Sequence, residues 1–189
     1  MVRIIKTEFY KLKRYHILWA GVALMLLSVL LTLFTSMAND GSVWDFAYLT
    51  EQVIKNNMSM IFPMCITLIA GYIISRERTD DTLKSILTVP VSFRRMLAGK
   101  LIVCGALSAM FGVICGVFTV LAEFAAGFPG FSFLLAVKAV LQITAVNFFL
   151  YLAVLPIIVL TSRAANGFLA GVILAFVYGY GGMFAAGNM

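Results

Sequence analysis

Five runs of 20 to 26 residues contain no Asp, Glu, Lys or Arg: Tyr15–Asn39, Asn56–Ser75, Leu101–Ala122, Ala139–Ser162 and Ala164–Met189. Each reaches the roughly 20 helical residues that cross a bilayer. Hydrocarbon offers no hydrogen-bond partners, so a spanning run must pair its backbone within itself, and helix is the conformation that does so. The predicted fold is therefore all-α, a polytopic transmembrane helical bundle with five spans. Composition agrees: of 189 residues, 62% are hydrophobic and 12% charged, about half the charge of an ordinary soluble domain. No linker or internal repeat interrupts the pattern, so one membrane domain is expected over residues 1–189.

The net charge of +6 does not form a basic face for nucleic acid. It sits in short segments between the apolar runs. Residues 1–14 hold Arg3, Lys6, Lys11, Lys13 and Arg14, the stretch 76–100 holds six Lys/Arg, and Arg163 stands alone. The intervening segments are poor in base: Lys55 beside Asp40, Asp45 and Glu51, then Lys138 with Glu123. The positive-inside rule places the N-terminus, the 76–100 connection and Arg163 in the cytoplasm, and the end of the fifth run outside. The basic start leads into a run of full spanning length without a small-x-small site, unlike a signal peptide.

Several chemistries lack their parts. There is no G-x-x-x-x-G-K-[ST] for ATP, no H-E-x-x-H and no G-x-S-x-G, and no carboxylate lies deep in a run. Cys65, Cys104 and Cys115 lie in apolar runs without a CxxC, and read as small buried residues. His16 falls at a membrane boundary. Gly112–Gly116 and Gly167–Gly171 fit G-x-x-x-G, a spacing that lets helices approach closely within the chain or between two chains. Pro63 and Pro156 each remove a backbone donor within a span.

Two polar segments remain. In the first, Ile4, Ile5, Phe9 and Leu12 recur at near-helical spacing with Lys6, Lys11, Lys13 and Arg14 between them. This is a basic amphipathic helix lying at the interface, or else a disordered basic leader. In the second, Ser75 to Lys100, Thr79 or Asp80 can cap a helix. Leu83, Ile86 and Leu87 share one face, Pro90 ends it, and Ser92 caps a helix running through Phe93, Arg94, Arg95 and Lys100. The segment reads as a short amphipathic helix and turn whose polar side faces a cytoplasmic partner, or as a topogenic loop whose charge only sets orientation. Between the third and fourth runs, "GFPG" signals a turn. "FSFLLAV" after it is either an interfacial or re-entrant segment or a continuation of the fourth helix.

"IIKTEFYKLKR" resembles the N-terminal elbow of type-2 ATP-binding-cassette transporter permeases. "ERTDDTLKSILTVPVSFRRMLAGKL" resembles that family's connection after the second span: a glutamate, Thr-Leu-Lys, Pro-x-Ser and a basic stretch ending in Gly-Lys. "VWDFAYLTEQVIKNN", "FPMCITLIAGYI" and "NGFLAGVILAFVYGY" are similar to the group serving lantibiotic immunity and bacitracin export, so the resemblance covers essentially the whole chain. It implies that the second polar segment is a coupling helix docking on a separate ATPase. Glu77, Asp80, Asp81, Thr82, Leu83 and Lys84 would form the docking segment, flanked by Arg94 and Arg95. Lys6, Phe9, Lys11, Lys13 and Arg14 would form the elbow.

The implied protein is a permease subunit that exports a peptide antibiotic or similar amphiphile from the membrane, giving immunity or resistance. It binds no cofactor, since ATP and Mg are used by the partner ATPase. It pairs with a second permease chain, identical or different, in a bacterial plasma membrane with its N-terminus cytoplasmic. Two features depart from the family pattern. Asp81 stands where many members have glycine, and the family usually has six spans, so a product truncated before a sixth is one reading. A non-transporting membrane scaffold using the same segment for another partner is the alternative function.

Overall fold

The computed structural model describes residues 7, 9–10, 16–36, 44–79, 93–161 and 167–187. Regular structure among the described residues is helical: α1 Ile17–Ser36, α2 Phe46–Asn56, a π-helical turn Asn57–Ile61, α3 Phe62–Thr79, α4 Phe93–Ala126, α5 Phe133–Thr161 and α6 Gly167–Gly187. The chain is an all-α polytopic membrane bundle. Among the described residues, four stretches are long and apolar enough to cross a bilayer: Ile17–Ser36, Phe46–Ile74, Met96–Ala126 and Phe133–Thr161. Leu169–Gly182 in α6 forms a shorter apolar helix.

The second span starts ten residues earlier than its uncharged run. Asp45 caps α2, its Oδ1 accepting the Tyr48 N–H at 2.7 Å. Phe46, Leu49, Thr50 and Val53 form a buried stripe, the i, i+3, i+4, i+7 spacing of a core-facing helix. Glu51 and Lys55 pair at 2.8 Å on the exposed side. Their charges mark residues 40–55 as a loop by composition, whereas they occupy one face of a helix that continues into the membrane.

The turn between α4 and α5 falls at "GFPG". Gly127 and Gly130 have φ of 67° and 87°, the left-handed region that glycine enters without cost. Ser132 then starts α5, its Oγ accepting the Leu135 N–H. "FSFLLAV" is thus the beginning of the fourth spanning helix. Glu123 belongs to the last turn of α4 and is buried, and the Phe128 N–H donates to its carboxylate. Beside it, Trp44 stacks on Phe128 and meets Tyr48 edge-on, and the Phe46 N–H reaches the Pro129 carbonyl. This aromatic layer closes the end of the bundle opposite the 80–92 connection.

Seven hydroxyls inside the spans are satisfied by their own helices. Thr32, Thr50, Thr67, Ser108, Thr119, Thr144 and Thr161 each donate to a carbonyl three or four residues earlier. This back-bonding lets polar side chains remain where there is no water. Glycine sets the tightest contacts. A Cβ on Gly112 would lie 2.6 Å from Thr144 Cα, and one on Gly116 would lie 2.9 Å from Val140 Cα, so this G-x-x-x-G seam packs α4 on α5 within the chain. Gly171 sits against Thr161 and Thr67. All three cysteines are buried.

Candidate functional site

Both helices that flank the 80–92 connection outrun their apolar segments. α3 is apolar to Ile74 and continues to Thr79, and α4 begins at Phe93 and becomes apolar from Met96. At about 1.5 Å per residue, the 34 residues of α4 extend about 51 Å, well beyond a hydrocarbon core of roughly 30 Å. The connection is therefore carried on two helical extensions. Glu77 lies on the first and Arg94 and Arg95 on the second. Thr79, a possible cap for the next helix, is the last residue of α3.

Asp80, Asp81, Thr82, Leu83 and Lys84 lie outside the described residues, as do the side chains of Glu77, Arg94 and Arg95. Lys6, Lys11, Lys13 and Arg14 also lie outside them. Of the elbow residues, Phe9 is described: it is helical and half exposed.

The two extensions are joined at their base. Lys100 is 2% exposed, and its Nζ donates to the Ile73 carbonyl at 2.8 Å. At the next residue of α4, the Tyr151 hydroxyl donates to the Leu101 carbonyl at 2.6 Å. α3, α4 and α5 are thus pinned together where the membrane part of the bundle meets the connection. A charge-assisted bond of this kind contributes roughly 1.5–3 kcal/mol, more than a solvated surface charge. By charge count Lys100 closes a basic stretch. Its separation from Arg95 by more than a helical turn, directly before an apolar run, is the signal that it points elsewhere.

A second polar contact lies within the spans. Asn57 opens the π-turn and donates its Nδ2–H to Asn147 Oδ1 on α5 at 2.7 Å, with both residues buried. Next to it, Asn56 Nδ2 donates to Thr32 Oγ1 on α1 at 2.9 Å. The π-turn has a local cause. Pro63 has no N–H to offer the Ser59 carbonyl, so the regular i→i−4 ladder cannot run through this point. Gly179 of α6 lies directly against that Ser59 carbonyl and the Pro63 ring. Charge patterning gave no sign of this neutral cluster.

Among the described residues, no group of three or more His, Cys, Asp or Glu is placed to hold a metal. The arrangement is a charged connection on two pinned helices, leading into a span with a break in its hydrogen-bond ladder. Residues 4–182 match the family described as ABC-2 family transporter protein. The chain belongs to the ABC-2 transporter family. No curated protein and no solved structure matches it. As an ABC-2 protein, the chain is a membrane permease component of an ABC transporter. The family implies an ATP-binding-cassette partner, and the permease component is not itself the ATPase.

Proposed function

We propose that this ABC-2 permease exports an amphiphilic peptide, of the lantibiotic or bacitracin kind, from a bacterial plasma membrane and so confers immunity or resistance. In this reading, the N-terminus and the 80–92 connection are cytoplasmic, as the distribution of Lys and Arg asks. Glu77, Asp80, Asp81, Thr82, Leu83 and Lys84 dock on the ATPase, with Arg94 and Arg95 beside them. ATP and Mg act at the partner, and a second permease chain, identical or different, completes the pathway. Lys6, Phe9, Lys11, Lys13 and Arg14 hold an elbow at the lipid interface.

The observation that carries this reading is the Lys100 contact. A docking segment transmits force only if its two supports move as one body, and Lys100 ties α3 to α4 at the base of the segment. ATPase closure then displaces both helices together, and the motion reaches the π-turn at Asn57–Ile61, where the span has a break to absorb it. The cargo class rests on the likeness of the connection and of the second and fifth runs to the lantibiotic and bacitracin group.

Changing Thr82, Leu83 and Lys84 together to alanine tests the docking assignment. The variant is expected to retain membrane insertion and thermal stability, to capture at least ten-fold less ATPase in mild detergent, and to lose peptide resistance. Undiminished ATPase capture together with intact resistance would show that the segment does something else.

A further inference from the structure

The Asn57–Asn147 contact is incomplete. Two primary amides facing each other can exchange two hydrogen bonds, and here they exchange one. Among the described residues, Asn57 Oδ1 and Asn147 Nδ2 are buried without a hydrogen-bond partner, on residues that are 1% and 0% exposed. Reversing both amides reverses the bond but again leaves one donor and one acceptor unused, so the result does not depend on how oxygen and nitrogen are assigned. Unsatisfied polar atoms are costly in a buried, water-poor setting, and native structures keep few of them.

Glycines let neighbouring helices pack closely around the pair. Gly112 of α4 lies against Asn147, where a Cβ would come 3.4 Å from Asn147 Cβ. Gly179 of α6 lies against the π-turn two residues beyond Asn57. The helix ladder is already widened there, with the Phe62 N–H reaching back to the Asn57 carbonyl. Met58 and Met60 beside Asn57, and Phe148 and Phe149 beside Asn147, are exposed on the bundle surface.

We infer that Asn57 and Asn147 form a recognition point for a secondary amide, the peptide group of the cargo, within the membrane. A peptide group presents one N–H and one C=O. Its N–H donates to Asn57 Oδ1, and its carbonyl accepts from Asn147 Nδ2. No charged group is part of the contact, which fits a neutral amide rather than an ammonium or a phosphate. Admission requires α5 to move off the π-turn, the point where Pro63 has already removed a backbone hydrogen bond, and this breaks the Asn57–Asn147 hydrogen bond, so the two bonds to the peptide group replace that one. This inference rests on the peptide cargo of the proposed function and adds the group by which that cargo is held.

The full chain in lipid nanodiscs, with asparagine side chains labelled with 15N, tests it by titration with N-decylacetamide, decyl acetate and decanol. The Asn147 Nδ2 signal is expected to shift saturably with the amide at a concentration at least ten-fold lower than with the ester or the alcohol. Asn147→Leu, followed through the Asn57 Nδ2 signal, is expected to remove the preference for the amide. The double variant Asn57→Leu with Asn147→Leu removes both partners, leaves no new orphan, and is expected to fold with the wild-type Tm, and the Tm shift caused by each probe, which favours the amide in the wild type, no longer does so. Equal affinities for the three probes, an Asn147 signal that none of them moves, or an amide preference surviving in the double variant would overturn the site. Peptide resistance of cells carrying the wild-type chain reads the cargo class separately, so failure of the amide site with resistance intact is distinguishable from failure of the peptide reading itself.

Discussion

Gly112→Leu is expected to lower the apparent Tm of the purified chain by on the order of 10 °C, whereas Gly181→Leu changes it little. The two glycines lie in membrane helices of similar apolar character, yet their surroundings differ. A Cβ at 112 meets the backbone of α5, with Thr144 Cα at 2.6 Å, while one at 181 meets nothing within 4 Å. A clash with backbone cannot be relieved by a rotamer change, so α4 and α5 must separate. Overpacking of this kind costs about 3 kcal/mol at its upper end, and in a chain of this size each kcal/mol shifts Tm by about 2–4 °C. The Asn57–Asn147 contact would be disturbed as well, because Gly112 packs against Asn147. Thermal unfolding in one detergent, with the two variants side by side, checks the result. Equal shifts would show that the α4–α5 seam is not the tight contact described.

Lys100→Met is expected to separate partner binding from transport. The substitution keeps the side chain's length and apolar stem and removes the ammonium that holds the Ile73 carbonyl. The docking segment itself is untouched, so ATPase capture stays within two-fold of wild type. The two helical supports lose their joint, and peptide resistance falls at least ten-fold. Spin labels at positions 78 and 97 report the cause directly, since the distance distribution between the ends of α3 and α4 broadens. A variant that transports normally with a broadened distribution would show that the joint is not needed for coupling.

Much of the fold follows from one property of the chain, its long uncharged runs. α1 lies within the first run, α4 contains the third and α5 covers the fourth as far as Thr161, and hydrocarbon leaves those runs no alternative to helix. The α4–α5 turn was legible because the two glycines of "GFPG" supply the positive φ that it uses. The start of the second span was not legible by charge, since Glu51 and Lys55 look like loop residues until they are placed on one face of α2. Pro63 announces an irregularity, but a π-turn is settled by what packs on it, and Gly179 lies more than a hundred residues away in sequence. Lys100 illustrates the same limit. A count of positive charges treats it as one of six, and only the packing of α3 on α4 turns it inward. Asn57 and Asn147 are separated by 90 positions, and neither carries a local motif that would pair them.

In the proposed mechanism, this permease works by being moved by a separate ATPase at the 80–92 connection. The most direct test is affinity purification of the chain from its native membrane in mild detergent, with mass spectrometry of what co-elutes. The account predicts a stoichiometric protein carrying a Walker motif, released by the Thr82, Leu83 and Lys84 substitutions. Recovery of intact, folded chain without such a protein, repeatedly and at native expression, would contradict it.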